Sequence, residues 1–520
     1  MKEHSLFSCL RFRWFVWLCL VHFLSGNVSA AAGIAVFAGG NTEPQTLDPA
    51  QVWDDISASF TYNIYDTLVR IHPQTMAVEP GLATSWKAED GGKTWIFELR
   101  RNVRFHDGTP CDADAVVFSF KRQLDKKFAY RYYAFPMFAE IFTFLKDVGK
   151  LGSHRVAFYL SQPFSPFLAT LTVDNAAIVS PAAVIRHKQQ FPRHPSGTGP
   201  FRLKEWVAGQ RLVLEANPGY WKGPPAIAEY TTLFLNNFDT IETFFKQGKI
   251  SIMLSYSISR LVGLRRLSWV DVLTTPVFST QFLTFNMANP ILKRKQVRQA
   301  LNYLWDERAL TLVYRDFARP IHSLLPQGMV QGQTMSPLYP FSIEKARRLL
   351  QQENLTSGIN LNFLTLEARG SLLLGVVSHY VQNLKKAGIN LIVKQVSNEE
   401  YNARIARGEY DITQSGWIAD YPDPDSFFYP MFSRELQQEG FANLSSAAAD
   451  PIRQLIDQAR QESDPLRRRE KYERLDRWLM EEALLLPLFQ DVNVVVYNRS
   501  IGPLNPNALG KLSLYDLGRK

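Results

Sequence analysis

Residues 358–425 constrain the fold most, because they predict three strands that alternate with two helices. INLNFLTL (Ile359–Leu366) mostly alternates apolar and polar residues, as a strand does. The run 371–388 has apolar residues at helical spacing and ends in two lysines and then a glycine, typical of a helix end. A second strand at Ile389–Val396 leads into a capping box and a short helix, and 410–416 predicts the third strand. This order indicates an α/β fold.

The edge at which these three strands end is the predicted ligand site. Strand–helix–strand units pair their strands in parallel, because the crossover is right-handed and covers the sheet. Ligands of open α/β sheets bind outside the carboxyl ends of the strands. Arg369 follows the first strand, and Asp420 lies in WIADYPDPD (417–425), the predicted exit loop of the third. A positive and a negative group facing one crevice would suit a ligand with an amine at one end and a carboxylate at the other.

Other segments predict further elements. The run 93–110 predicts two strands that meet at a turn, with His-Asp-Gly supplying the turn. A long helical region is predicted at 296–313, and strands are predicted at 280–287 (TQFLTFNM) and 484–498.

The composition is that of a globular protein with two or three domains, since 520 residues are too many for one core. The net charge of +9 could indicate nucleic acid or a membrane surface. However, the basic residues are dispersed, and the cluster at 467–469 lies in a helix-like run rich in acids. We therefore expect no nucleic-acid partner.

The first thirty residues predict export. Two arginines precede an apolar run of about eleven residues at 14–24, and V-S-A ends at Ala30. A bilayer span needs about twenty residues, so we expect a signal peptide cleaved near Ala30, with an uncleaved anchor as the alternative. Cleavage would remove Cys9 and Cys19 and leave Cys111, which excludes an internal disulfide. Cys111 is then a buried structural cysteine or a reactive thiol.

Motifs for catalysis or metal binding are absent from the sequence. HExxH and GxSxG do not occur, and the glycines at 197–199 lack the third glycine of a dinucleotide fingerprint. The acidic loop 420–425 is interrupted by prolines and lacks the glycine and glutamate of a calcium loop. His187 and His194 flank a polar stretch, and the other histidines are scattered. We expect no catalytic residue, no metal and no cofactor.

Five segments in a fixed order carry a family resemblance. They are TLDP, LATSWKAEDGGKTWIFELRRNVRFHDGTP, GTGPFRLKEWVAGQRLVLEANPGYW, QVRQALNYLWDERAL and GWIADYPDPDSFF. Together they resemble the extracytoplasmic solute-binding proteins of ATP-driven (ABC) importers, in the oligopeptide- and dipeptide-binding family 5. The resemblance extends over nearly the whole mature chain.

The resemblance implies an α/β fold of the periplasmic-binding-protein type. Two lobes would be joined by two crossing strands, within TQFLTFNM and PLFQDVNVVVYN, and an extra α+β domain would be inserted in the first lobe. The implied division is a signal peptide at 1–30, a first lobe at 31–78, 198–285 and 488–520, an inserted domain at 79–197 and a second lobe at 286–487.

The resemblance also implies a monomeric periplasmic receptor that closes on a peptide and delivers it to the membrane permease subunits of an ABC importer. In peptide-binding members an aspartate of a W-x-x-D loop pairs with the ligand's α-amine, and Asp420 matches it. In the dipeptide-binding branch an upstream arginine holds the α-carboxylate. Arg369 falls at a similar place but lacks the proline- and asparagine-rich run of that branch. Gly416 and Trp417 would offer main-chain groups and a ring to an extended peptide.

Alternatives remain at two levels. The ligand of a family member could instead be a nickel complex, glutathione, haem, an opine or an oligosaccharide, because substrates diverge on one scaffold. A secreted enzyme or sensor is the third possibility. At the residue level, Asp420 could cap nearby amides, Trp417 could pack in the core, and Arg369 could form a surface ion pair. Asp423 and Asp425, between prolines, are predicted to form turns.

Overall fold

The architecture is taken from a computed structural model of the chain. The predicted signal peptide lies outside the described residues, and so does Arg369. Among the described residues, every helix is too short or too polar to cross a bilayer. The structure describes residues 34–40, 42–130, 141–235, 237–254, 256, 258–330, 336–367, 370–432 and 450–518.

Strands and helices alternate along much of the chain. The strands are β1 (Ile34–Gly40), β2 (Val69–Ile71), β3 (Val78–Pro80), β4 (Ala83–Glu89), β5 (Thr94–Leu99), β6 (Leu145–Gly152), β7 (Arg155–Leu160), β8 (Phe201–Val207), β9 (Arg211–Ala216), β10 (Ile227–Phe234), β11 (Ile252–Met253), β12 (Val270–Pro276), β13 (Ser279–Phe285), β14 (Ala318–Pro320), β15 (Ile359–Leu366), β16 (Ile389–Val396), β17 (Ile412–Ile418) and β18 (Leu485–Asn498). The helices are α1 (Asp55–Ile64), α2 (Ala113–Leu124), α3 (Phe167–Thr170), α4 (Pro181–His187), α5 (Phe238–Lys246), α6 (Ile258–Leu264), α7 (Lys295–Tyr303), α8 (Arg308–Tyr314), α9 (Ile343–Gln352), α10 (Gly370–Lys386), α11 (Asn398–Arg407), α12 (Asp425–Phe432), α13 (Asp450–Gln461) and α14 (Pro465–Glu481).

The second lobe contains the predicted strand–helix–strand units. Its strands lie in the order β16-β15-β17-β13-β18, and β15 pairs in parallel with both β16 and β17. The prediction of three parallel strands is confirmed. The third strand runs to Ile418, two residues beyond the predicted end, so Trp417 belongs to the strand and not to its exit loop. Antiparallel pairing of β13 along the whole of β17 accounts for this extension.

The helix between β16 and β17 begins and ends at predicted residues. Ser397 Oγ accepts from the Glu400 N–H at 3.3 Å, which is the serine half of the predicted capping box. The Glu400 carboxylate accepts from Arg404 Nε at 2.6 Å, an ion pair along the helix surface. Gly408 ends the helix with φ of 70°, a left-handed conformation that glycine adopts without a Cβ penalty. Local sequence chemistry therefore sets this part of the fold.

Two connections join the lobes. β18 pairs with β13 and β14 in its first half and with β11 and β12 in its second half, so it passes from one lobe to the other. β12 and β13 follow each other across residues 277–278 and pair with opposite halves of β18. The crossing predicted in PLFQDVNVVVYN is thus β18. The other crossing lies just before TQFLTFNM.

A separate antiparallel sheet, in the order β4-β5-β7-β6, lies within residues 79–197. α2 packs on β6 and β7 over a core rich in phenylalanine. The predicted hairpin at 93–110 is only half right. Its second part is a turn closed by one isolated bridge, Arg104 to Pro110, instead of a strand. Cys111 is buried in this core as a free thiol, in agreement with a structural cysteine, and burial raises its pKa.

The predicted helix at 296–313 is wrong in one respect, because it consists of α7 and α8 with a break between them. Asp306 lies in the break, and its carboxylate accepts from the Arg308 N–H at 3.2 Å and from the Arg308 guanidinium. An aspartate that binds the start of the next helix competes with continuing the first one.

Candidate ligand-binding site

Asp420 lies just beyond β17 and lines a cavity of about 110 Å³. The residue is half-buried, and its main-chain N–H donates to Ser426 Oγ at 2.9 Å. The rest of the cavity wall comes from segments assigned above to the first lobe and the inserted domain. Among its charged and phenolic residues are Tyr62, Asp66, Arg70, Asp174, Lys222, Lys511, Tyr515 and Asp516. A group bound in this cavity would contact both lobes.

One buried and one partly buried ion pair anchor the loop that carries Asp420. Asp423 binds the Arg468 guanidinium through both oxygens, at 2.7 and 2.8 Å, and also accepts from the Asp425 N–H at 2.8 Å. Asp425 is fully buried and lies 3.0 Å from Arg460 Nε. Asp423 therefore forms the predicted turn, but both carboxylates also bind arginines more than thirty residues away, which sequence reasoning missed. Burial raises the pKa of Asp425, and the Arg460 guanidinium opposes that rise.

Arg460 also joins α13 to residues 144–165. Its guanidinium lies 3.3 Å from the ring centre of Tyr429, and the rings of Phe144 and Phe164 lie within 5.0 Å of it. The Ser165 N–H donates to the Arg460 carbonyl at 2.7 Å. Tyr421, next to Asp420, is buried in the core of the inserted domain. The loop is thus positioned by α13 and α14 on one side and by the apolar core within residues 68–178 on the other.

Gly416 and Trp417 lie on β17 before Asp420. Gly416 pairs with Gln281 of β13, and a Cβ on Gly416 would lie 2.5 Å from Gln281 Oε1. Gly416 therefore leaves room for Gln281, which donates to Asp491 at 2.8 Å. Trp417 is half-buried and packs against an apolar cluster of the second lobe, as the core-packing alternative predicted. The role of each residue toward a ligand stays a prediction.

Lys222 and Arg70 are cationic residues of the cavity that sequence reasoning missed. Arg70 lies on β2, and Lys222 lies in the loop between β9 and β10. Burial lowers the pKa of Lys222, and the nearby Arg70 charge lowers it further. The neighbouring residues in GYWKGPP do not identify Lys222 as a cavity residue, because the cavity is formed by segments that lie far apart in the chain.

Two other groups considered from the sequence have structural explanations. Gly197 and Gly199 pack against the end of α1, where a Cβ at Gly199 would lie 2.5 Å from the Ile64 carbonyl carbon. The rings of His187 and His194 stack at 4.4 Å. In the described part of the chain, no cluster of three His, Cys, Asp or Glu residues is placed to hold a metal ion.

Comparison with known proteins shows sequence similarity over most of the chain. The family model described as bacterial extracellular solute-binding proteins, family 5 Middle, matches residues 77–438. The probable D,D-dipeptide-binding periplasmic protein DdpA of Escherichia coli K12 is 29% identical over 478 residues, covering 89% of this chain and 90% of that protein. Heme-binding protein A of Haemophilus influenzae is 26% identical over 460 residues, covering 82% and 84% of the two chains.

The fold agrees with a solved relative. The periplasmic binding protein DppA of Helicobacter pylori, in complex with the peptide STSA, superposes with a TM-score of 0.77 at 26% identity, covering 93% of this chain and 98% of that one. The two-lobed fold and the family resemblance inferred from the ordered segments are both confirmed. The chain belongs to the bacterial extracellular solute-binding proteins of family 5.

Proposed function

We propose that the chain is a periplasmic receptor that captures peptides between its lobes and delivers them to the permease subunits of an ABC importer. The observation that carries this proposal is the position of Asp420, in the cavity wall between β17 and the first lobe. The relatives support it: one is named for D,D-dipeptides, and another was solved with the peptide STSA. The lobes in this proposal keep the division at 31–78, 79–197, 198–285, 286–487 and 488–520.

Asp420 supplies the charge that a peptide's amino end requires. A buried ammonium costs several kcal/mol unless a carboxylate pairs with it. Closure of the lobes over the cavity removes water from both groups and strengthens their attraction. The cavity is smaller than the roughly 300–1,000 Å³ of whole ligand pockets, so it receives one end of the peptide and the rest extends along the cleft.

The peptide backbone runs beside β17. The strand register pairs β15 with β17 only at Phe363–Ile412 and Leu364–Thr413, so Gly416 lies beyond this pairing. An extended peptide placed there gains main-chain hydrogen bonds that do not depend on its side chains. The Trp417 ring contacts the peptide's side chains, and Arg369 holds the carboxylate of the peptide's C-terminus.

The protein binds and releases its ligand without chemical change, so it has no catalytic residues. A relative named for haem makes a non-peptide solute the second candidate. Mass spectrometry of ligand that co-purifies with the native protein separates the two. Peptide masses support the proposal, and a porphyrin or metal complex as the only ligand contradicts it.

The role of Asp420 is tested by calorimetry with a peptide and its N-acetylated form. The Asp420→Ala change should weaken binding of the free peptide tens-fold or more, because losing one partner of a desolvated charge pair costs about 2–5 kcal/mol. N-acetylation should cost the wild type a similar factor and the variant little. Unchanged affinity in the variant would rule out this role.

A further inference from the structure

The cavity that contains Asp420 is also lined by the cations Arg70, Lys222 and Lys511, and Lys511 is paired with Asp174. Lys222 and Arg70 both line it, on segments of the first lobe. Two like charges in one small cavity repel each other, and burial makes that repulsion stronger. A ligand anion between them would remove the repulsion.

Lys222 is held in place by aromatic rings. Its Nζ lies 5.0 Å from the ring centre of Tyr515 and 6.0 Å from that of Trp221. The Tyr515 hydroxyl donates to the Lys222 carbonyl at 2.7 Å, which fixes ring and main chain together. Among the described residues, no carboxylate lies within ion-pair distance of Nζ, so its donors are open to a ligand.

Arg70 is held by an ion pair but keeps an unsatisfied hydrogen-bond donor. Its Nη2 lies 2.7 Å from Glu79 Oε1, across the β2–β3 pairing. Its Nε is buried and meets no hydrogen-bond acceptor within the described residues. Glu79 therefore holds the guanidinium at the cavity wall and leaves part of its donor capacity unsatisfied.

Three acids, Asp66, Asp174 and Asp516, come from the same segments of the cavity wall. Asp66 accepts from Thr198 at 2.8 Å and from Trp221 at 3.0 Å, and burial raises its pKa. Asp174 pairs with Lys511 at 2.6 Å. Asp516 acts on Lys222 through its charge but forms no ion pair with it among the described residues, so the Nζ donors of Lys222 remain for an incoming anion.

We propose that Lys222, with Arg70 beside it, binds a carboxylate of the same ligand whose ammonium is held by Asp420. This rests on the proposed function for the ammonium contact. The second lobe then holds the positive group and the first lobe holds the negative group, so a zwitterion ties the lobes together through both charges. Because the cavity receives only the amino end of the peptide and Arg369 is assigned its C-terminus, the carboxylate bound by Lys222 is an acidic side chain at the first residue.

The test uses Lys222→Met, which keeps an unbranched side chain on Tyr515 and removes the charge. Lys249→Met is the matched control, since Lys249 also lies over an aromatic ring, Phe244 at 4.8 Å, but does not line the cavity. Thermal melting confirms that both variants fold. Calorimetry then compares Ala-Ala, Ala-Ala amide, Glu-Ala amide and N-acetyl-Ala-Ala.

Wild type and Lys249→Met should prefer Glu-Ala amide over Ala-Ala amide by about tenfold, the usual strength of a charged hydrogen bond. Lys222→Met should lose this preference, while any preference for Ala-Ala over its amide should remain in all three proteins. A preference for Glu-Ala amide that survives in Lys222→Met, or no such preference in the wild type, overturns the proposal. Equal binding of N-acetyl-Ala-Ala and Ala-Ala, or no binding of any peptide, instead overturns the proposed function.

Discussion

Replacing Arg460 with methionine should destabilise the protein by about 3–5 kcal/mol at pH 7.5, the usual cost of leaving one member of a buried ion pair alone. Arg460 and Asp425 are 1% and 0% exposed and lie 3.0 Å apart, so solvent screens neither charge. Stacking of the guanidinium on Tyr429 at 3.3 Å adds to the loss, since a desolvated cation–π contact contributes about 2 kcal/mol. The two losses overlap, because the same side chain makes both contacts.

The loss should depend on pH with a known sign. Burial already raises the pKa of Asp425, and removing the arginine lets it rise further. A carboxyl whose pKa is raised in the folded state costs stability above its unfolded value and regains it as the pH falls. Arg460→Met should therefore lie closer to the wild type at pH 4.5 than at pH 7.5.

Urea unfolding followed by tryptophan fluorescence and circular dichroism measures these differences. The double change Arg460→Met with Asp425→Asn should recover most of the loss, because neutral groups need no counter-charge. Arg469→Met is the matched control, since Arg469 pairs with Glu473 on the surface and should cost under about 1 kcal/mol. A loss below about 1 kcal/mol for Arg460→Met, or no recovery in the double variant, would refute the reasoning.

Three further predictions follow from single residues. Burial raises the pKa of Asp476 to about 6, so its carboxyl costs stability as the pH rises from 4 to 7. In urea unfolding at several pH values, Asp476→Asn should reduce the pH dependence of the unfolding free energy by up to about 3 kcal/mol. Parallel curves of unfolding free energy against pH for the variant and the wild type would contradict this. Gly199→Ala should lower the melting temperature, because its Cβ meets rigid backbone of Ile64, whereas Gly263→Ala meets nothing within 4 Å and should not. Arg369→Ala should weaken dipeptides more than long peptides in calorimetry, and equal losses would count against its carboxylate role.

Elements set by local chemistry could be predicted from the sequence. The units from β15 to β17 were placed within two residues, because helical spacing, a capping serine at 397 and a glycine at 408 are all local signals. The break between α7 and α8 was missed because Asp306 looks like any polar residue on a continuous helix face. Its binding to the start of α8 is seen only in three dimensions.

The candidate site was predictable only in part. Asp420 follows a strand whose end could be located to within two residues, so its place at the sheet edge followed from topology. Lys222, Arg70 and Arg460 come from segments far from it in the chain, and no periodicity or spacing connects them. Their positions depend on how distant parts of the chain pack together, and local patterns in a single sequence carry no information about that packing.

Tyr421 has a consequence for the way this receptor opens. The residue follows Asp420 in the chain but is buried in the apolar core formed by residues 68–178. A movement that parts the lobes must either pull this ring into water, at a cost of about 1.5–3 kcal/mol, or carry the inserted domain along. In the first case the burial of one phenol ring opposes the release of a ligand. In the second case the phenylalanine-rich core that surrounds the ring travels with the Asp420 loop.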